Sequence, residues 1–317
     1  MDLKQITYLS KLDHSMQPAL MWAASGTEPR PLAVCLHTWS YGMEQSCTHF
    51  LEQCQKRNWH FIFPHFRGAN WLPEACGSDL VVSDLEGAVI YMKEHYSVDP
   101  SKVYLVGGSG GGHASLLMAG RKPELWSAVS SWCPISDLTA WYVQTKEKKA
   151  DPSRRSYDDH IFEACGGDPV SDKKASEQAI HRSPLTWMKG AKDQVILDIG
   201  AGIHDGHTGS VPISHAILAF NELAEPQDRI SREDMVDMTE NQRIPDSLRF
   251  QGEDPAYLDH PVLLRRTSGL ARLTIFEGGH DILTAAAFGF LENQSAGKTP
   301  VWDSGSLSDS GETELTK

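Results

Sequence analysis

The run Lys102–Gly107, KVYLVG, leads directly into a glycine cluster, Gly107-Gly108-Ser109-Gly110-Gly111, and this junction constrains the fold more than any other feature of the chain. A short apolar, β-branched run reads as a buried strand. The segment behind the cluster, Gly110 to about Gly120, reads as a helix. Joining the two without a loop takes a sharp turn whose central residue stands in strained backbone geometry. Flanking glycines let neighbouring chain pass where a Cβ would clash. Such a turn lifts the Ser109 hydroxyl above the sheet edge. It also sets the Gly110 N–H at a helix start, where it can donate to an oxyanion. The competing reading is a phosphate-binding turn. However, the Lys-Ser/Thr of a P-loop is missing, and the glycines fit the dinucleotide pattern G-x-G-x-x-G poorly.

The same alternation continues along the chain. Leu32–His37, Trp59–Pro64, Ala128–Cys133, Gln194–Ile199 and Ala271–Glu277 read as buried strands. Met43–Lys56, Asp79–His95, Pro212–Leu223 and Asp281–Leu291 read as helices. Strands separated by helices imply a mostly parallel sheet covered on both faces. With the serine turn, the expected class is α/β, an α/β-hydrolase fold with a cap insertion. One domain is expected over residues 1–292. The polar, aromatic stretch Ser136–Gly190 is its cap, over the edge where open α/β sheets bind ligands. A second, acidic excursion spans about 222–259. Residues 293–317 carry few apolar side chains and are expected to be disordered.

A serine hydroxyl needs a base, and in this fold the order along the chain is Ser, acid, His. Among 14 histidines, His280 follows the last strand-like run, in Phe276-Glu277-Gly278-Gly279-His280-Asp281. The acid belongs on the loop after the preceding strand. Asp198 lies within that strand, whereas Asp205 lies beyond it and is the candidate that would orient His280. His204, Asp205 and His207 together could instead bind a metal, but they lack the H-E-x-x-H spacing, and no metal is expected. The second oxyanion donor belongs to the loop after the first central strand, at Thr38 or Trp39, with Trp39 favoured. Its indole could wall the acyl pocket, or simply pack. Trp71, Trp132, His207 and Arg67 are the candidates for substrate contact at the active edge. For Arg67 a structural ion pair is the favoured reading over contact with a substrate carboxylate.

The formal net charge of −13 argues against nucleic acid as a partner, which would need clustered Lys and Arg. No apolar run reaches the roughly 18 residues of a membrane span. The start, MDLKQITYLSKLDHSMQPAL, holds no apolar h-region or cleavage site, which leads to the expectation of a cytoplasmic protein. The six cysteines form no CxxC pair. Cys35 and Cys133 are expected to be buried thiols, and a disulfide among Cys47, Cys54 and Cys76 is left open.

Four blocks, in order, resemble the catalytic domain of the prolyl oligopeptidase family and its esterase relatives. They are His37-Thr38-Trp39, Pro64-His65-Phe66-Arg67-Gly68, Gly107–Gly111 around Ser109, and Gly278-Gly279-His280. Asp205 followed by Val211-Pro212 resembles the family's acid and Val-Pro pair, with Gly206–Gly209 set ahead of that pair. The resemblance spans roughly Leu32 to Leu291. It implies a serine hydrolase that uses no cofactor. The family's peptidases carry a large N-terminal β-propeller, and the roughly 30 residues before the first strand-like run are too few for one. The expectation is therefore a carboxylic ester hydrolase acting on short-acyl, acetyl-type esters; the resemblance to the esterase relatives implies acylated carbohydrates as a substrate class, and nine tryptophans fit either sugar stacking or packing. Two alternatives stay open: a peptidase on the same triad, and a catalytically inactive binding module. Oligomeric state is not legible.

Overall fold

The computed structural model describes residues 3–151 and 153–302. Nine strands form one sheet: β1 (Lys4–Leu9), β2 (Met16–Trp22), β3 (Arg30–Leu36), β4 (His60–Pro64), β5 (Val98–Gly108), β6 (Ala128–Trp132), β7 (Ile196–Gly202), β8 (Val262–Ser268) and β9 (Ala271–Phe276). Their order is β1-β2-β4-β3-β5-β6-β7-β9-β8. The run β4-β3-β5-β6-β7-β9 is parallel throughout. β1 and β2 add antiparallel at one edge, and β8 at the other. The α/β-hydrolase fold follows from this mostly parallel sheet and its helices.

The strands are apolar throughout because both faces are covered. All residues of β4, β6, β7 and β9 are buried. Alternate residues serve opposite faces. Leu32, Val34 and Leu36 of β3 pack with α2 (Asp79–His95), α3 (Gly110–Arg121) and α7 (Ser214–Leu223). Ala33 and Cys35 pack on the other side with α1 (Thr48–Arg57) and α9 (Thr284–Glu292). The expected strands and helices all occur, with shifted ends. α1 starts at Thr48 rather than Met43, since the loop before it is committed to the site.

Between β6 and β7 the chain builds α4 (Leu138–Glu147), α5 (Tyr157–Cys165) and α6 (Lys173–Arg182). The helix starts are sealed locally. Asp137 accepts from the Ala140 N–H, Asp172 accepts from the Lys174 and Ala175 N–H groups, and Ser156 with Asp159 forms a capping box. A third apolar cluster holds this cap against the loop after β3, joining Trp39 to Ile135, Leu138, Trp141, Ile161 and Val211. The excursion after α7 contains α8 (Arg232–Asn241).

One expectation needs correction, and two open questions are answered. The chain does not loosen at residue 293. Tyr104 donates to the Gln294 carbonyl at 2.7 Å, Arg272 donates to the Trp302 carbonyl at 2.6 Å, and Trp302 stacks on Phe290. The rest of the expected tail, residues 303–317, lies outside the described residues. All six cysteines are free and buried, so none of the considered disulfides is present. Arg67 takes the structural ion pair rather than the substrate contact. It grips Asp84 with two hydrogen bonds of 2.7 and 2.9 Å and reaches Asp13 at 2.8 Å, tying the β1–β2 hairpin to α2. Among the described residues, no helix is long and apolar enough to cross a membrane.

The Asp84 side chain is fully buried, so losing it would strand the Arg67 guanidinium. Asp84→Ala is expected to cost about 3 kcal/mol, read as a lowered urea midpoint. A shift of less than about 1 kcal/mol would show that Asp13 alone holds Arg67.

Candidate active site

The site collects at the C-terminal ends of β3, β5, β6, β7 and β9. Ser109 sits between β5 and α3 with φ 57° and ψ −119°, a strained conformation for a residue with a Cβ. The strain is held from both sides. The Ser109 N–H donates to the Trp132 carbonyl at 2.8 Å, and the Ser109 carbonyl accepts from His113 N–H at 2.8 Å. Among the described residues its Oγ has no hydrogen-bond partner. Contacts between nucleophile and base often tighten only in the Michaelis complex.

His280 and Asp205 are in contact. His280 Nδ1 lies 2.6 Å from Asp205 Oδ2. An ionised carboxylate only accepts, so Nδ1 carries the proton and Nε2 is left with its lone pair. The Asp205 side chain is wholly buried, whereas that of His280 is 27% exposed. The other oxygen, Asp205 Oδ1, accepts from the Gly206 N–H at 2.8 Å and the Val211 N–H at 3.0 Å. Those two amides belong to the segment that includes Gly206–Gly209, which wraps the pair. Gly209 lies so close that a Cβ there would meet the Asp205 carboxylate and come within 2.6 Å of the His280 Cβ.

Two backbone amides meet beside Ser109. Gly110 is packed against the Thr38–Trp39 peptide, and a Cβ on it would collide with the Trp39 backbone. As the first residue of α3, Gly110 has no intrahelical acceptor for its N–H. Thr38 is not the second donor, because its N–H goes to Gln45 Oε1 at 2.8 Å. Among the described residues the Trp39 N–H has no acceptor. Asn70 fixes the other end of that residue, since its backbone N–H and its Nδ2 both donate to the Trp39 carbonyl. Gln45 and Asn70 therefore aim the Trp39 amide. Sequence reasoning missed both, because a loop glutamine or asparagine carries no sign of what its amide grips.

The Trp39 indole points away into the cap. Its Nε1 donates to His160 Nδ1 at 3.3 Å, and its ring meets Trp141 edge-on at 4.7 Å. Trp71 is half-buried and stays near this edge, lying against His160 with the Arg155 guanidinium 5.0 Å from its ring centre. Trp132 is fully buried, pinned by its Nε1–Ser130 hydrogen bond and packed against Gly200 and Phe276, so it is core rather than pocket. His207 bonds to the Thr239 carbonyl of α8 at 2.7 Å. His204 lies between Glu277 at 2.6 Å and Gln242 at 2.9 Å, and these two partners raise its pKa. His204 and His207 thus hold the acid loop to its neighbours and do not converge on a metal. Among the described residues, the donors that do converge are Cys133, Asp205 and His280.

Residues 55–197 match the model of the prolyl oligopeptidase family. No curated protein sequence matches the chain. The fold is similar to that of an acylaminoacyl peptidase from Pyrococcus horikoshii, with TM-score 0.62 and 13% identity over 96% of this chain and 43% of that one. A puromycin-hydrolyzing peptidase from Mycobacterium tuberculosis gives TM-score 0.57 and 16% identity, over 92% of this chain and 40% of that one. Oligopeptidase B from Leishmania major gives 0.55 and 16%, over 72% and 32%. The chain thus spans less than half the length of these structures.

The Gly110–Trp39 contact makes a sharp prediction. Gly110→Ala forces the two amides apart and is expected to lower kcat by about a hundredfold or more with little change in KM, measured on whichever ester or amide is turned over. An unchanged kcat would remove these amides from the reaction.

Proposed function

We propose that this chain, a prolyl oligopeptidase-like α/β-hydrolase, is a serine hydrolase that cleaves carboxylic esters with small acyl groups through a Ser109 acyl-enzyme. The observation that carries the reading is the close packing of the Gly110 and Trp39 backbones beside a strained Ser109, at the same sheet edge as the Asp205–His280 pair.

The steps follow from these groups. Ser109 Oγ attacks the ester carbonyl while His280 Nε2 takes its proton. Negative charge gathers on the carbonyl oxygen, and the Gly110 and Trp39 N–H groups donate to it. Asp205 stays ionised and stabilises the imidazolium. The tetrahedral intermediate then collapses. The ester C–O bond breaks, the alcohol leaves with the proton from His280, and the acyl group remains on Ser109. Water attacks next, losing its proton to His280, and the acid is released as Ser109 regains its proton.

The preference for a small acyl group comes from the resemblance to the family's esterase relatives. Trp71 is the aromatic surface best placed to stack on a sugar. A second reading, amide cleavage, is favoured by the solved structures of similar fold, which are named as peptidases. His280 could protonate an amine leaving group as readily as an alcohol.

The test compares p-nitrophenyl acetate with an aminoacyl-prolyl p-nitroanilide, using Ser109→Ala as control. Turnover of the acetate, lost by about a thousandfold or more in Ser109→Ala, is expected. Turnover of the anilide instead would replace the ester reading with the peptidase one. Failure of a fluorophosphonate to label wild-type Ser109 would leave a binding module without catalysis.

A further inference from the structure

Cys133 follows β6 directly, at φ 44°, and is 1% exposed. Its backbone N–H donates to the Gly200 carbonyl at 2.7 Å, which fixes it under the loop that carries His280. Its Sγ is 3.4 Å from the Asp281 carbonyl and 3.9 Å from the Gly279 carbonyl, the residues on either side of His280. The thiol sulfur, an Asp205 carboxylate oxygen and a His280 ring nitrogen all lie within 4.8 Å of one another. The acid–base step accounts for the carboxylate and the imidazole. It does not account for the sulfur.

One sulfur, one nitrogen and one oxygen donor make a set that suits a borderline-soft ion such as Zn2+, with the fourth position left to solvent. Donors around a tetrahedral zinc stand about 3–4 Å apart, so closing the present spread takes about 1 Å of side-chain movement. His280, the most exposed of the three, offers the way in.

We propose that Cys133, Asp205 and His280 form a binding site for a soft divalent cation, and that its occupation switches the hydrolase off. Binding releases the thiol proton to solvent. A cation between Asp205 Oδ2 and His280 Nδ1 takes the place of the bridging proton, and a neutral imidazole then carries its proton on Nε2. That nitrogen can no longer accept the proton of Ser109. The inhibitory half of the proposal rests on the hydrolase reading, whereas the binding half does not.

Two readouts separate them. Cd2+ is titrated into the wild-type protein, Cys133→Ala and Cys133→Ser, each checked for a wild-type thermal melt, while the thiolate-to-cadmium charge-transfer band is followed in the near ultraviolet. Zn2+ is titrated against substrate turnover, each variant is compared with its own metal-free rate, and a chelator is then added. One saturating band per chain is expected in the wild type and none in Cys133→Ala. Zn2+ should inhibit the wild type reversibly, and the variants should need about tenfold more Zn2+ or worse. No band in the wild type, an equal band in Cys133→Ala, or equal Zn2+ sensitivity in all three proteins would overturn the site. If no substrate is turned over at all, the band still decides whether the cation binds, and only the hydrolase reading fails.

Discussion

The site depends on one backbone-to-backbone contact, that of Gly110 against the Thr38–Trp39 peptide. It joins the N-terminus of α3 to the loop after β3, and no side chain could occupy the space between them. Adjacent parallel strands β3 and β5 deliver both segments to the same edge, in register from Leu32–Val103 to Leu36–Gly107. Residues further out adapt to this contact. Gln45 takes the Thr38 N–H, Asn70 takes the Trp39 carbonyl, and the Trp39 indole turns into the cap. The free amide of Trp39 is thus what remains when the polar groups around it have been paired.

Two buried carboxylates, one inside β7 and one on the loop after it, show how burial treats charge according to its use. Asp198, within β7, is neutralised by the Arg272 guanidinium at 2.7 Å. Burial of both sides of that pair makes it a fixed structural charge, costly to break. Asp205, three residues past the end of β7, is also buried, but it accepts from two amides and His280 rather than from an arginine or lysine. A carboxylate held by dipoles keeps its negative charge available for an imidazolium that forms only during reaction. An arginine at that place would already have satisfied it.

The sheet was legible in the sequence because strands buried on both faces must be apolar throughout, as HFIFP and AVSSW are. β1, β2 and β8 were not, since the edge strands β1 and β8 expose residues, β8 holds Arg265 and Arg266, and β2 carries Pro18 just ahead of the stretch from Ala19 that pairs with β4. The serine turn, the histidine loop and the acid loop could be located because glycines and strand ends mark them. Side-chain direction could not. Arg67, Trp132 and His207 all stand near the active edge in sequence, yet they face an ion pair, the core and α8 respectively. Position along a strand places a residue at an edge; the partner that captures its side chain comes from sequence-distant segments.

The segment between β6 and β7 is tied to the acid loop as well as to the oxyanion loop. Trp141 Nε1 donates to the Ser210 carbonyl at 2.8 Å, and Lys148 donates to the Gly206 carbonyl, both in the loop that supplies amides to Asp205. Gln144 of the same helix bonds His215 at 2.9 Å at the start of α7. On its other side, the acid loop is tied to the histidine loop through His204 and Glu277. Helix α4 therefore sets the position of the carboxylate that orients His280, while its Trp141 packs on the oxyanion loop through Trp39. A change in the cap that alters which substrate fits will also move the acid and an oxyanion donor. Substrate choice and turnover are coupled in this fold by shared contacts, and the coupling runs through backbone carbonyls that substitution cannot remove.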